Sequence, residues 1–259
     1  MNFELSYEDR ESVAYVRLER PEKRNALTSG MLERLAEIFA GVSARRDLRA
    51  VILSGAGVDF CVGTDIGELE SLDEEGARRK AERGQEVCDS VELCGTPVIA
   101  AVGGAAAGGG CELALACHLR VAATDARFSL PEARLGVMPA YGGTARLSRA
   151  VGSGRALAAM LAGDEIGADE ALRLGLVNRV VEPACLIDEA EALARTIVET
   201  SAPLAVRACL EAVTRGSRLS FDEGLRLEAE LFSRLFSTED VREGTRAFLE
   251  KRRPEFKGK

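Results

Sequence analysis

Tryptophan is missing from this chain of 259 residues, and histidine occurs once, at position 118. With no serine or cysteine placed to partner it, that histidine gives little ground for a histidine-based hydrolase triad, and no metal site is expected. Long hydrophobic runs are missing too. No segment reaches about 18 uninterrupted apolar residues, and the polar stretch from Met1 to Arg10 has no apolar h-region. Neither a membrane span nor a secretory leader is expected, and the protein should be soluble and cytoplasmic. Positive charge is in deficit, at a formal net charge of -8 with no basic tail, which argues against a nucleic-acid partner but leaves room for a local basic patch facing an anionic cofactor. The seven cysteines (Cys61, Cys88, Cys94, Cys111, Cys117, Cys185 and Cys209) form no CxxC pair and read as reduced, mostly buried thiols.

What the chain does contain is enough apolar material, 46% of residues, to bury one main domain with an appendage. Strand-like runs alternate with helical patterns, which predicts an α/β arrangement. Strands are expected at Val13 to Leu18, Ala50 to Leu53, Pro97 to Val102, Leu119 to Ala122 and Arg127 to Leu130, with a further short one at Leu176 to Val181. Helices are expected over Thr28 to Arg45, where Met31, Leu32, Leu35, Ile38, Phe39 and Val42 share one face, and over Glu74 to Leu93. Further helices are expected over 143 to 151, 153 to 161, 167 to 174 and 184 to 200. From Ala202 onward the pattern is helical only, a candidate oligomerisation element. No low-complexity linker or fixed-period repeat interrupts it.

The stretch Gly108-Gly109-Gly110-Cys111-Glu112 follows the apolar run Val98 to Val102 and reads as a strand, a glycine turn and a helix start carrying a carboxylate. Bare glycine backbone lets a ligand come close, and first-turn N–H groups point at negative charge. Taken alone, Glu112 is as readily a first-turn acid stabilised by the helix dipole, and the glycines a packing cluster. A nucleotide loop is disfavoured, since neither G-x-G-x-x-G nor Gly-Lys-Ser/Thr fits the register. His118, at the far end of the same expected helix, reads as structural.

Several motifs occur in a telling order: Arg20-Pro21-Glu22-Lys23-Arg24-Asn25-Ala26-Leu27, Phe60-Cys61-Val62-Gly63-Thr64-Asp65-Ile66, the glycine stretch with Glu112, Pro131-Glu132, Leu135-Gly136-Val137-Met138-Pro139 with Gly142-Gly143-Thr144, Ala171 to Val177, and Ala247 to Pro254. With these motifs the chain resembles the enoyl-CoA hydratase/isomerase (crotonase) superfamily, hydratase branch, over nearly its whole length. The resemblance implies a spiral of ββα turns over residues 1–198 and a C-terminal helical trimerisation region over 199–259, assembled as a homotrimer or a hexamer of two trimers. It implies acyl-CoA thioesters as substrates in lipid metabolism, with coenzyme A as part of the substrate and no prosthetic group.

It also implies roles. Glu112 and Glu132 match the two catalytic glutamates, and the backbone N–H groups of Thr64 and Gly109 match an oxyanion hole. Two carboxyls in one apolar pocket do not both ionise readily, so coupled titrations with one pKa raised toward neutrality are expected. For coenzyme A, Lys23 and Arg24 are expected to meet phosphate, and the backbone around Ala26 and from Val62 through Gly63, Thr64 and Asp65 to Ile66 to line the pantetheine and adenine site. Phe248 and Lys251 are expected to reach the adenine end from a neighbouring subunit. Two departures stand out: Thr64 where the family often has alanine, and Ala140-Tyr141 where it often has small residues such as glycine. Tyr141 is expected to reshape the acyl pocket, whose wall is set by residues Glu68 to Glu75 and the helix after them. A hydratase making 3-hydroxyacyl-CoA needs both glutamates. A double-bond isomerase, a hydratase of branched, cyclic or glutaconyl-type acyl-CoA, and a non-catalytic acyl-CoA binder are the alternatives.

Overall fold

Helix starts follow the capping signals of the sequence. The computed structural model describes residues 4–259. Strands β1 (Leu5–Arg10) and β2 (Val13–Leu18) form an antiparallel pair, and α1 (Ser29–Ala44) begins where the Thr28 hydroxyl accepts from the Met31 N–H at 3.1 Å. Then come β3 (Ala50–Gly55) and α2 (Glu74–Glu92), the latter capped by Asp73 accepting from the Gly76 N–H at 2.8 Å. Next are β4 (Val98–Val102), β5 (Ala105–Ala107), α3 (Gly109–Ala116), β6 (Leu119–Ala123) and β7 (Arg127–Ser129). After these the chain forms α4 (Gly143–Val151), α5 (Ser153–Leu157), β8 (Ile166–Gly167), α6 (Ala168–Arg173), β9 (Arg179–Val181) and α7 (Leu186–Thr200). It closes with α8 (Pro203–Gly216), α9 (Phe221–Leu235) and α10 (Glu239–Glu250).

Six strands form one sheet in the order β1-β2-β3-β4-β6-β9, parallel from β2 onward, and β5-β7-β8 form a second. The path is a spiral of ββα turns. Each of β3, β4 and β6 lies in the large sheet and is followed by a short extended piece beside the small one, then by a helical segment. Those pieces are Cys61, bridged to Ala106, then β5, then β7, paired to β5. Along β3 and β4 the side chains alternate between two cores. Val51, Leu53, Val98, Ala100 and Val102 pack toward α1, α2 and α3, whereas Ala50, Ile52, Ile99 and Ala101 pack against Ala190 and Ala194 of α7.

The structure differs from the sequence reading in four places. Leu5–Arg10, expected only as a polar lead, is an edge strand whose side chains beyond Leu5 are exposed, so it carries no alternation to read. The strand expected from Leu176 is confined to Arg179–Val181, because the N–H groups of Leu176 and Val177 both turn back to the Ala171 carbonyl. The helix expected over 153 to 161 passes into a π-helical turn at Ala158–Ala162 that ends at Gly163. His118 lies beyond the end of α3 and not on it. Its Nδ1 accepts from the Val98 N–H at 2.9 Å and its Nε2 donates to the Glu92 carbonyl at 3.0 Å, and burial lowers its pKa to about 4. It is a neutral strut between β4 and α2.

Candidate active site

Two glycines of the 108–110 run set the position of Glu112. Gly108 sits at φ 51°, ψ -129°, a conformation for glycine alone, and turns the chain from β5 into α3. A Cβ on Gly110 would lie 2.2 Å from the Cys61 carbonyl oxygen, so only bare backbone lets α3 start this close to the 61–65 segment. Glu112, in the first turn of α3, is 2% exposed. Its Oε1 accepts from the Tyr141 N–H at 2.8 Å and the Gly143 N–H at 2.7 Å, so the carboxyl sits at the start of α4. Burial raises its pKa, while these two bonds and the Arg146 cation draw it back toward the ionised form.

Glu132 comes from the 3-10 turn Glu132–Leu135 and faces the same space. Its Oε2 is buried with no hydrogen-bond partner among the described residues. Burial, with the negative charge of Glu112 adding to it, raises its pKa to about 7. The Glu132 carboxyl also approaches the glycine turn: a Cβ on Gly108 would meet its Oε1 at 3.2 Å.

The 61–65 segment is held between two neighbours. The Leu27 N–H donates to the Gly63 carbonyl at 2.7 Å, the Asp65 N–H donates to the Leu27 carbonyl at 2.9 Å, and Cys61 exchanges bonds with Ala105 and Ala107. Between these, the Thr64 N–H has no acceptor among the described residues. The Gly109 N–H opens α3 and lacks an intrahelical partner, as first-turn donors do. The two loops touch, since a Cβ on Gly63 would come within 3.2 Å of the Gly109 nitrogen. Both amides and both glutamates border one cavity of about 500 Å³, walled otherwise mainly by apolar side chains including Leu69, Leu72, Ala81 and Met138.

Tyr141 is buried in the wall of this cavity. Its ring lies over Gly109 and against Gly84 of α2, where a Cβ would fall 1.9 Å from the ring. The Thr64 hydroxyl donates to the Tyr141 hydroxyl at 3.0 Å, so the two residues that depart from the common family pattern are bonded to each other.

The other expected residues are dispersed. Val62, Gly63 and Ile66 line the cavity. Asp65 points away, accepting from Arg20 at 3.0 Å and from the Gly67 N–H at 3.1 Å. The buried Ala26 presents its carbonyl to Arg20 at 2.6 Å. Lys23 is exposed, and the Arg24 guanidinium is committed to Asp59 at 2.7 Å; neither residue borders the cavity. Phe248, 84% exposed, and Lys251 lie on α10 and its end, and this single chain does not bring them to the cavity. Sequence reading missed Gly84, Lys80 and Arg146. Lys80 lines the cavity with its stem while its Nζ pairs with Glu68 at 2.5 Å, and Arg146 was visible only as the cation following Gly142-Gly143-Thr144.

The geometry offers two carboxyls and two N–H donors with no acceptor among the described residues around an apolar space, an arrangement that suits addition or proton transfer next to a polarised carbonyl. Known proteins of similar sequence and fold agree in kind. The family described as enoyl-CoA hydratase/isomerase matches residues 8–259. The short-chain-enoyl-CoA hydratase of Clostridium acetobutylicum is 43% identical over 244 residues, 94% of this chain and 93% of its own. The crotonyl-CoA hydratase of Syntrophomonas wolfei is 40% identical over 96% of both chains. The crystal structure of enoyl-CoA hydratase from Bacillus anthracis superposes with a TM-score of 0.94 at 37% identity, covering 99% of this chain and 100% of that one. A spiral ββα fold matched end to end, with family likeness running through every segment that builds the cavity, leads to one conclusion: the chain belongs to the enoyl-CoA hydratase/isomerase family.

Proposed function

We propose that the chain is a 2-enoyl-CoA hydratase, adding water across the 2,3 double bond of an enoyl-CoA thioester to give the 3-hydroxyacyl-CoA. The relatives named above support this reading. The observation that carries it is the pair of carboxyls on one apolar cavity, one gripped by two N–H groups and the other with an unpartnered oxygen. Attack of water at C3 moves negative charge onto the thioester oxygen, needs a base for the water and needs an acid for C2. Glu112 is the base, since its two N–H bonds favour the carboxylate. Glu132, its pKa raised to about 7, holds a proton in a large share of molecules near neutral pH, unlike an ordinary carboxyl, and is the acid. The water proton goes to Glu112, the hydroxyl to C3 and the Glu132 proton to C2; exchange with solvent then restores both groups. The Thr64 and Gly109 N–H groups hold the thioester oxygen, a donor of this kind being worth roughly 10²–10³ in rate.

Coenzyme A enters as part of the substrate, with no prosthetic group. In this reading its phosphates meet Lys23 and Arg24, its arm runs along Ala26 and Val62 to Ile66, and its adenine end is met by Phe248 and Lys251 of the partner subunit. Residues 1–198 are the catalytic core and residues 199–259 the region through which copies join as trimers or pairs of trimers. The reaction is the hydration step of fatty-acid β-oxidation, placed in the cytoplasm.

The test is hydration of crotonyl-CoA, followed by loss of the ultraviolet absorbance of the conjugated thioester, in wild type, Glu112→Gln and Glu132→Gln. Each variant is expected to lose about 10²–10⁴ in kcat. Wild-type activity is expected to fall as pH rises through about 7, where Glu132 gives up its proton. Full activity in either variant overturns the two-carboxylate mechanism. Retention by Glu112→Gln of 3-enoyl to 2-enoyl conversion, with no hydration in wild type, makes the protein an isomerase.

A further inference from the structure

Glu112 does not hold itself in place. Its N–H partners, Tyr141 and Gly143, belong to the loop after Pro139 and the first residue of α4, and that turn is shaped from its other side by one guanidinium. Arg146 of α4, with a side chain only 7% exposed, donates through Nη1 to the Tyr141 carbonyl at 2.9 Å. Tyr141 is therefore tied at both ends of its backbone, its N–H to Glu112 and its C=O to Arg146. Between them Gly142 adopts φ 100°, and a Cβ there would lie 2.3 Å from Arg146 Nη1, so the loop closes over the guanidinium with no room to spare. Gly143 follows with the second N–H, and a Cβ on it would meet Glu112 Cγ at 2.7 Å.

The rest of the guanidinium is equally committed. Nε and Nη2 reach Glu92 Oε2 at 3.1 and 2.8 Å, and Nη2 reaches Asp89 Oδ1 at 2.6 Å, both acceptors on α2. Those carboxylates also receive Arg218, from the turn between α8 and α9. Its guanidinium lies 2.8 and 3.2 Å from the two Asp89 oxygens and also contacts Glu92. Arg149 of α4 adds a third cation 3.9 Å from Glu92, so three guanidinium groups surround two carboxylates where α2, α4 and the C-terminal helices meet, and a guanidinium fork is the group that fills such a junction with directed bonds.

We propose that Arg146 is a positioning residue for the catalytic base: it fixes the 140–143 loop in the shape that presents two N–H groups to Glu112, and Asp89, Glu92 and Arg218 anchor it to the C-terminal helices. The proposal rests on Glu112 acting as the base. Loss of Arg146 frees the Tyr141 carbonyl, slackens the grip on the carboxylate and removes a nearby positive charge. Each change favours protonated Glu112. The charged and titratable groups around Glu112 and on the cavity it borders include Arg146 from α4, Lys80 and the Cys88 thiol from α2, Cys111 on its own helix, the Tyr141 phenol and Glu132 from its turn. Of the two cations, Lys80 is paired with Glu68, whereas Arg146 is the one that draws Glu112 toward the ionised form.

The test is the pH dependence of kcat/KM for crotonyl-CoA in wild type, Arg146→Gln, Arg146→Lys and Arg173→Gln, with Glu112→Gln assayed alongside. Hydration needs Glu112 ionised, so activity is lost as pH falls through its pKa, and raising that pKa moves the acid limb to higher pH. In Arg146→Gln the limb is expected to rise by about one pH unit, with kcat reduced more than KM is raised. Arg146→Lys keeps the charge but cannot span the Tyr141 carbonyl and both carboxylates, so it is expected to shift in the same direction by less. Arg173→Gln removes a cation from an exposed pair with Glu170 and leaves the limb in place. An unmoved acid limb in a folded Arg146 variant, with only a lower melting temperature, overturns the proposal; should Arg146→Gln fail to fold, Arg146→Lys decides. Full hydration activity in Glu112→Gln would instead remove the base assignment on which the proposal stands.

Discussion

In the proposed reading Tyr141 limits the acyl end of the cavity, because its ring occupies a slot that two glycines keep open. Gly84 of α2 accepts the ring face, Gly109 lies on the other side, and the Thr64 hydroxyl fixes the phenol from across the cavity wall. Tyr141→Ala removes that ring but keeps the backbone N–H that Glu112 uses. It is expected to raise the kcat/KM of a medium-chain enoyl-CoA relative to crotonyl-CoA by about tenfold, the scale of one or two methylenes in an apolar pocket. Tyr141→Phe loses only the Thr64 bond, worth about 1 kcal/mol, and should leave the ratio unchanged. An unchanged ratio in Tyr141→Ala would show that the acyl chain runs elsewhere. Much of this was legible at the level of single residues. Thr64 and Tyr141 stand out in the sequence as departures from a known pattern, as Glu112 and Glu132 stand out as matches to it. Their contacts were not legible, because the partners lie far apart along the chain: 77 residues separate Thr64 from Tyr141, and 29 separate Tyr141 from Glu112.

At the level of elements, the site depends on how closely α3 approaches the 61–65 segment. Gly110 sets that approach, and its neighbour is a backbone carbonyl that cannot swing aside. Gly110→Ala must therefore push α3 away from the loop carrying Thr64, spoiling the spacing of the two N–H donors. A cost of about 1–3 kcal/mol or more is expected, seen as a lower melting temperature, with a fall in kcat larger than in any assay of substrate affinity. Gly154→Ala in α5 makes the contrast, since a Cβ there meets nothing within 4 Å and φ is not positive. It should be neutral or stabilise by up to about 1 kcal/mol. A Gly110→Ala protein with unchanged stability and turnover would show that the approach is not tight. Long elements were legible: α1 from its cap at Thr28 and its apolar face, and α2 as a charged helical run over Glu74 to Leu93. The short strands β5 and β8 were not: one is three alanines and the other two residues, and they exist only because neighbouring turns of the spiral supply their hydrogen-bond partners.

The whole molecule leaves an apolar face uncovered. On α9 and at its end, Phe221, Leu225, Phe232 and Phe236 recur at intervals of four, seven and four, which places them on one helical face, and they are 80, 48, 62 and 58% exposed. Phe232 and Phe236 stack edge to face at 5.1 Å, and Phe248 and Leu249 add two more large side chains at more than 80% exposure on α10. Single exposed apolar residues need no explanation, but a helix whose stripe of phenylalanines faces water does. The sequence reads as a helical tail and a candidate oligomerisation element without indicating which face would be used, since the pattern on α9 is the same whether its stripe meets the rest of the chain or another copy. In the folded chain the stripe is turned outward, and in the reading proposed above a second copy covers it. Light scattering at micromolar concentration is expected to give a mass that is a multiple of three times the 27.6 kDa chain. Phe232→Glu with Phe236→Glu should lower that mass, because two carboxylates in an apolar interface cost more than the contacts they replace. If Phe248 of the partner subunit meets the adenine end of the substrate, the same variant should raise KM for crotonyl-CoA more than it lowers kcat, since Glu112 and Glu132 both come from one chain. A monomeric wild type of full activity would confine the whole site to a single copy and leave Phe248 and Lys251 without a role in it.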